Sequence, residues 1–362
     1  MPDSPIYQLQ AANVLVCPLD WGLGHATRCI PIIRILTSRG IKVVVACSPQ
    51  LKTLFNSELP EVEVDTFDGA RIRYSRGRSL VLKLMLDLPR LLLWHLRERR
   101  ITKMLVAKHK ADCIISDNRY GVRQGNIKSI LITHQLSPLM PRFLKWTEPV
   151  VAWMFRTVIK PFDECWVPDL PIPDSLAGLL VNRYPLPSNV RHIGPQSRFV
   201  VVGEPEAVQF KNQPNSAPAF EYELLGIVSG PEPQRSILQE VMIRQFSSYP
   251  GKSLILTGRP DQGSPKIVKT DHGPDLAPHL GSAQIKDLLT YTHFIVCRSG
   301  YSTIMDLYCL GRSAIIIPTP GQTEQEYLAQ YHSDKHLSIS QNEFFRVSLQ
   351  ELLESFSKRQ PH

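Results

Sequence analysis

Short runs of β-branched and aliphatic residues alternate with longer amphipathic stretches along most of this chain. The runs NVLVC (13–17), IKVVVAC (41–47), EVEVDTF (61–67), DCIIS (112–116), SILIT (129–133), ECWVP (164–168) and VRHIG (190–194) read as strands, with helices at about 26–39 and 147–160. Residues 203–220, GEPEAVQFKNQPNSAPAF, are polar, proline-rich and without period, so they read as a linker. The rhythm then resumes with ELLGIVSG (223–230), SLILTG (253–258), HFIVC (293–297) and SAIIIP (313–318), and with helices at about 233–247, 283–290, 302–310 and 324–332. Strands that alternate with helices in this way form βαβ units and parallel, doubly wound sheets. The expected architecture is α/β, with two Rossmann-like domains facing a cleft. An N-terminal domain covers 1–202, a linker 203–222 and a C-terminal domain 223–345. The last stretch, 346–362, holds a helix that is free to return to the first domain. The length of 362 residues also suits two domains.

Composition narrows the class. Hydrophobic residues make up 43% and charged residues 20%, the mix of a folded globular chain. The seven cysteines are scattered, with no C-x-x-C pair and no Cys/His ligand spacing, which disfavours disulfides and structural zinc. Neither a signal-peptide pattern nor an 18-residue charge-free run is present, so a cytoplasmic chain is expected.

The net charge of +8 is unevenly spread: residues 1–196 carry +10 and residues 197–362 carry −2. Segment 71–110 alone holds 12 basic residues against Asp87 and Glu98, and it is rich in leucine between Leu80 and Leu96, with Trp94. It is too charged to span a bilayer, but it has the composition of a helix lying on an anionic membrane surface. Two ordinary helices broken at Pro89, with a leucine face turned to the core, account for the same pattern. Nucleic acid is not an expected partner, because no interleaved aromatic platform accompanies the charge.

In such sheets ligands bind beyond the carboxyl ends of the strands, and four loops there carry unusual chemistry. The first, Asp20 to Arg28, includes Gly22, Gly24 and His25 and opens a helix. It lacks the third glycine of a dinucleotide fingerprint, since Thr27 stands in that place. His25 at a helix N-terminus would stay neutral and able to accept a proton, the role of a general base. The second loop, Ser116 to Gly121, supplies Asp117 as a reserve base with Asn118 and Tyr120, and the neighbouring strand ends in His134 and Gln135. The third, Ser229 to Arg235, reads as an anion-binding turn in which Gly230 lets backbone approach and Arg235 meets phosphate. The fourth is the most specific. Arg298, Ser299, Gly300 and Thr303 form a turn opening a helix whose N–H groups suit a diphosphate, Asp306 suits the hydroxyls of a ribose, and Gln325 and Glu326 follow.

The run C-R-S-G-x-x-T-x-x-D, then I-x-I-P-x-P and a Gln-rich turn, resembles the donor-binding signature of GT-B glycosyltransferases of family 28, specifically the MurG-type N-acetylglucosaminyltransferases. The G-x-G-H loop at 22–25 resembles that family's acceptor-side loop. The resemblance implies an N-terminal acceptor domain, with Gly22, Gly24, Arg28, Asn118, Tyr120, His134 and Gln135 toward the acceptor. It also implies a C-terminal donor domain, where Gly230, Arg235, Arg298, Ser299, Gly300, Thr303, Asp306, Gln325 and Glu326 meet a UDP-sugar. Asp306 stands where the family usually has Glu, Glu326 and Ala329 depart from Gln and Asn, and the glycine-rich turn keeps only Gly230 and Arg235.

The implied reaction is inverting transfer of a hexose or N-acetylhexosamine to a lipid-linked or other saccharide acceptor at the inner face of the cytoplasmic membrane. His25 would be the base and Asp117 its partner or substitute. No cofactor or metal is expected, and the chain contains no Asp-x-Asp pair. The loop with Gly22, Gly24, His25, Arg28 and Cys29 also resembles sugar-nucleotide hydrolases of the pseudaminic-acid type. A UDP-sugar 2-epimerase and a non-catalytic nucleotide-sugar binder complete the alternatives.

Overall fold

The computed structural model describes residues 4–20, 22–68, 88–199, 221–230, 232–259 and 266–359. They form two compact units, one on each side of a boundary at Gly203–Glu204.

The first unit is built on seven parallel strands: β1 (Asn13–Cys17), β2 (Lys42–Cys47), β3 (Glu63–Thr66), β4 (Cys113–Asp117), β5 (Lys128–Ile132), β6 (Glu164–Val167) and β7 (Val190–His192). Their order is β3-β2-β1-β4-β5-β6-β7. Around them run α1 (Pro5–Gln8), α2 (Leu23–Ser38), α3 (Pro49–Glu58), α4 (Leu88–His109), α5 (Glu148–Ile159) and α6 (Leu179–Asn182), with a 3-10 turn at Arg142–Thr147. Strands buried on both faces need continuous apolar runs, and β1 and β4 bury nearly every residue. One face of α2, with Ala26, Cys29, Ile30, Ile33 and Leu36, packs on Val14, Val16 and Val45 of the sheet.

The second unit holds β8 (Leu224–Ile227), β9 (Ser253–Leu256), β10 (Asp275–Ala277), β11 (Phe294–Cys297), β12 (Ile315–Ile316) and β13 (Leu337–Ser338). They too are parallel, in the order β10-β9-β8-β11-β12-β13. Its helices are α7 (Gln234–Phe246), α8 (Ser282–Tyr291), α9 (Tyr301–Cys309), α10 (Thr323–Tyr331), α11 (Gln341–Arg346) and α12 (Leu349–Ser357). The α/β class expected from the sequence is therefore observed, with a Rossmann-like parallel sheet in each unit.

One expectation changes, and another falls largely outside the described residues. The C-terminal helix does not leave its own unit: Leu349, Leu352, Leu353 and Phe356 of α12 join the core formed by Leu224, Ile255, Val296 and Phe344. Four apolar residues on one face of a nine-residue helix find a matching apolar surface next door. In the basic segment, residues 71–87 lie outside the described residues, and the remainder is one unbroken helix, α4. Among the described residues no helix is long and apolar enough to cross a membrane. The linker at 203–220 also lies outside the described residues.

Phe356 is 2% exposed, so Phe356→Ala should lower the unfolding free energy of the second unit by about 3–5 kcal/mol. Urea denaturation followed by circular dichroism reads this directly; a loss below about 1 kcal/mol would show that α12 is not part of that core.

Candidate active site

In both sheets the strand order reverses direction once, between β1 and β4 in the first unit and between β8 and β11 in the second. Loops leaving such neighbouring strands run to opposite sides and open a crevice for ligands. Each unit therefore has one place where ligand chemistry is expected, and the sequence-predicted residues gather at both.

In the first unit, Cys17 of β1 is in register with Ser116 of β4. The chain leaving β1 turns at Gly22, whose φ of 151° suits a residue without a side chain, and enters α2 with His25 in the first turn. Asp117 ends β4 and is fully buried. His25 Nδ1 lies 2.8 Å from Asp117 Oδ1. Arg28, one turn further along α2, donates from Nε to Asp117 Oδ2 and from Nη2 to Asp117 Oδ1. Its Nη2 also lies 2.8 Å from His25 Nδ1, and its Nη1 lies 2.9 Å from His134 Nδ1. The Cys29 thiol completes the circle at 3.7 Å from Asp117 Oδ2.

Electrostatics and burial oppose each other at Asp117. Burial alone would raise its pKa, but the charges of Arg28 and His25, with the hydrogen bonds both make, hold it well below the usual carboxylate range. An ionised Asp117 accepts a hydrogen bond from Nδ1–H in the His25 tautomer that leaves the Nε2 lone pair able to accept a proton. The His25 side chain is 21% exposed and that of Asp117 is 0% exposed. Of the two side chains only His25 reaches the surface, and Asp117 lies behind it within hydrogen-bond distance.

Several acceptor-side expectations are corrected by burial. Arg28 is 1% exposed and its guanidinium is committed to Asp117, His25 and His134; it braces the site and does not face an acceptor. His134 is buried behind it. Asn118, Tyr120, Gln135, Gly22 and Gly24 retain partial or full exposure. Asn118 has a left-handed φ of 49°, which bends the chain away from β4, and its Oδ1 is buried without a hydrogen-bond partner. Tyr120 packs edge-on against Phe155 of α5 at 5.9 Å, and burial raises its pKa. A Cβ at Gly121 would stand 2.7 Å from the His95 carbonyl, so α4 lies directly against the same turn.

In the second unit, Cys297 of β11 is in register with Ile227 of β8. The chain after β11 passes Arg298 and Ser299 to Gly300, the N-cap of α9. Open space surrounds the position of a Cβ at Gly300, and Thr303 and Asp306 follow on the helix, both half-buried. An exposed helix N-terminus at a switch point attracts a diphosphate through its N–H groups and its dipole.

Arg298 and Ser299 themselves point elsewhere. Arg298 is fully buried and donates to the carbonyls of Ile317, Pro318 and Gln234 and, at 2.7 Å, to Gln341 Oε1; burial lowers its pKa to about 10. Ser299 Oγ donates to the Gln325 carbonyl at 2.8 Å. Arg298 ties the β11 turn to the loop after β12, and Ser299 ties it to the first turn of α10. The Gln325 and Glu326 side chains brace that same loop by accepting from the backbone N–H groups of Thr319 and Gly321, each at 2.9 Å. Gly230 adopts a φ of 98° with open space around it. Arg235 is paired with Glu232 and with the Gly258 carbonyl. Arg259, which no motif singled out, meets the same Glu232 carboxylate at 3.2 Å.

Comparison with known proteins agrees with this anatomy. Residues 277–360 match the glycosyltransferase family 28 C-terminal domain. A UDP-N-acetylglucosamine–N-acetylmuramyl-(pentapeptide) pyrophosphoryl-undecaprenol N-acetylglucosamine transferase of Rhizobium etli is 32% identical over 63 residues, 17% of this chain and 16% of the relative. Its counterpart in Rhizobium leguminosarum bv. trifolii is 30% identical over the same length. The matched stretch thus spans only about a sixth of these curated relatives.

Among solved structures, the spinosyn rhamnosyltransferase SpnG with thymidine diphosphate aligns at a TM-score of 0.61 and 15% identity, covering 96% of this chain and 94% of that one. The glycosyltransferase of kitacinnamycin aligns at 0.59 and 14%, covering 97% and 93%. The expected fold, two Rossmann-like domains as in GT-B glycosyltransferases, is shared with these solved structures over nearly all of the chain, and residues 277–360 carry the similarity to family 28.

Asp117→Asn should destabilise the first unit by about 3–5 kcal/mol, because Arg28 is left as a buried cation with a weakened partner. The folded pKa of Asp117 lies below its unfolded value, so its contribution is complete above about pH 4 and is lost as the pH falls from there through the folded pKa. Acid titration of stability should therefore show a steeper fall below pH 4 for the wild type than for the variant.

Proposed function

We propose that this chain is an inverting, metal-independent glycosyltransferase that moves a hexose or N-acetylhexosamine from a UDP-sugar to a hydroxyl of a lipid-linked saccharide, working peripherally at the inner face of the cytoplasmic membrane. The observation that carries the reading is the His25–Asp117 pair at the switch point of the first sheet, in a chain whose residues 277–360 match the family 28 C-terminal domain. In this reading His25 Nε2 removes the proton of the acceptor hydroxyl as its oxygen bonds to the anomeric carbon. The bond from that carbon to the UDP oxygen breaks on the opposite face, which inverts the centre. Asp117 stabilises the imidazolium that forms, and Arg28 keeps Asp117 ionised.

Charge developing on the leaving UDP meets the α9 N-terminus at Gly300–Thr303, with Asp306 holding the ribose. Electrostatic stabilisation of this kind requires donors fixed in advance, and the buried Arg298 and Ser299 fix them by locking the turn. A lipid-linked acceptor is supported by the Rhizobium relatives, which are transferases acting on a pyrophosphoryl-undecaprenol acceptor. The hydrolase alternative keeps one supporting observation, the joint engagement of Arg28 and Cys29 with Asp117.

Release of UDP from a panel of UDP-sugars, measured with and without a membrane lipid extract, tests the reading. Release that depends on the extract and is unaffected by EDTA is expected; equal release without extract would favour the hydrolase. His25→Ala should lower turnover by about 10²–10⁴-fold while calorimetry shows UDP still bound. Asp306→Ala should weaken UDP binding itself.

A further inference from the structure

The strongest apolar exposure among the described residues is on the first unit, along the 3-10 turn Arg142–Thr147 and α5. Trp146 is 77% and Trp153 66% exposed, and Phe143, Val150, Met154 and Val158 are exposed beside them. From Trp146 onward their spacing places them on one helical stripe. The opposite face of α5 is already used: Ala152 and Ile159 are buried, and Phe155 packs on Tyr120. Soluble monomers seldom leave so large a contiguous apolar surface in water.

The charges around this stripe have one sign. Arg142, Lys145 and Lys160 are exposed and Arg156 is half-buried. The only acid between residues 141 and 160 is Glu148, which is 2% exposed and paired with Arg183. A stripe with two tryptophans, aliphatic residues between them and basic residues as the only exposed charges of its own segment, 141–160, matches the interfacial zone of an anionic bilayer.

A second exposed apolar patch, Leu93 and Leu96 on α4, lies among Arg97, Arg99 and Arg100. Helices α4 and α5 both pack on the Asn118–Gly121 turn that follows Asp117. A membrane against α5 would therefore lie close to the loop that orients His25.

We propose that the exposed face of residues 142–158 is a docking surface for an anionic lipid bilayer. It names the surface behind the membrane location suggested above, yet it stands on this exposure alone and does not need the chain to be an enzyme. The full chain is sedimented with vesicles of phosphatidylglycerol and phosphatidylcholine in equal parts, and with phosphatidylcholine alone. Binding to the anionic vesicles that weakens with salt is expected. The Trp146→Ser/Trp153→Ser variant should bind them at least about tenfold more weakly, since it removes the two largest apolar side chains from the stripe. Its melting temperature and UDP affinity should match the wild type, because these side chains already face water.

Undiminished vesicle binding by the variant would overturn the proposal. So would a wild type that ignores anionic vesicles, including one that forms, without lipid, a dimer that Val150→Glu dissociates in sedimentation velocity. A chain that binds vesicles but no UDP would refute the enzymatic reading and leave this one standing, and the converse holds.

Discussion

The reversal of strand order within each parallel sheet is the constraint on which the candidate sites depend. Parallel strands place all their carboxyl ends on one edge, and the reversal selects one point on that edge where adjacent loops diverge. In the first unit that point lies between β1 and β4, and it brings His25 and Asp117, 92 positions apart in sequence, to 2.8 Å. In the second unit it lies between β8 and β11, where the turn at Gly300 opens α9. The sheets need no particular chemistry to form; their topology fixes where chemistry can be held.

At both points a buried arginine does the holding. Arg28 satisfies both oxygens of Asp117 and reaches His25 and His134. Arg298 binds three backbone carbonyls and Gln341 beneath the β11 turn. A buried ion pair adds little net stability over well-packed apolar residues of similar size. What Arg28 and Arg298 supply is geometry. One keeps a carboxylate ionised behind an imidazole that reaches the surface, and the other keeps a helix N-terminus rigid and open.

The strands, and with them the loops at their carboxyl ends, were legible in the sequence because buried parallel strands leave uninterrupted apolar runs; the strand order that makes two of those loops switch points was not. The short strands β10 and β13 and the helix α3 were not, since two to three paired residues or a mixed polar helix carry no distinct period. The neighbourhood of His25 and Asp117 was legible from their places after β1 and β4. The inward direction of Arg28, His134, Arg298 and Ser299 was not, because a polar residue in a loop gives no sign of which groups will surround it. Gln341 reaches Arg298 from 43 positions away with no motif to announce it. The stripe on α5 shows the same limit from the other side: periodicity marks an apolar face at 147–160 but does not say whether protein or solvent lies against it.

The central claim is that Asp117 acts only through His25. A double-mutant cycle on UDP release tests it most directly, comparing His25→Ala, Asp117→Asn and the combined variant under conditions where all are folded. Residues acting as one unit give losses that do not add, so the combined variant should be no slower than His25→Ala alone. Losses that multiply would show that Asp117 contributes independently and would contradict the account.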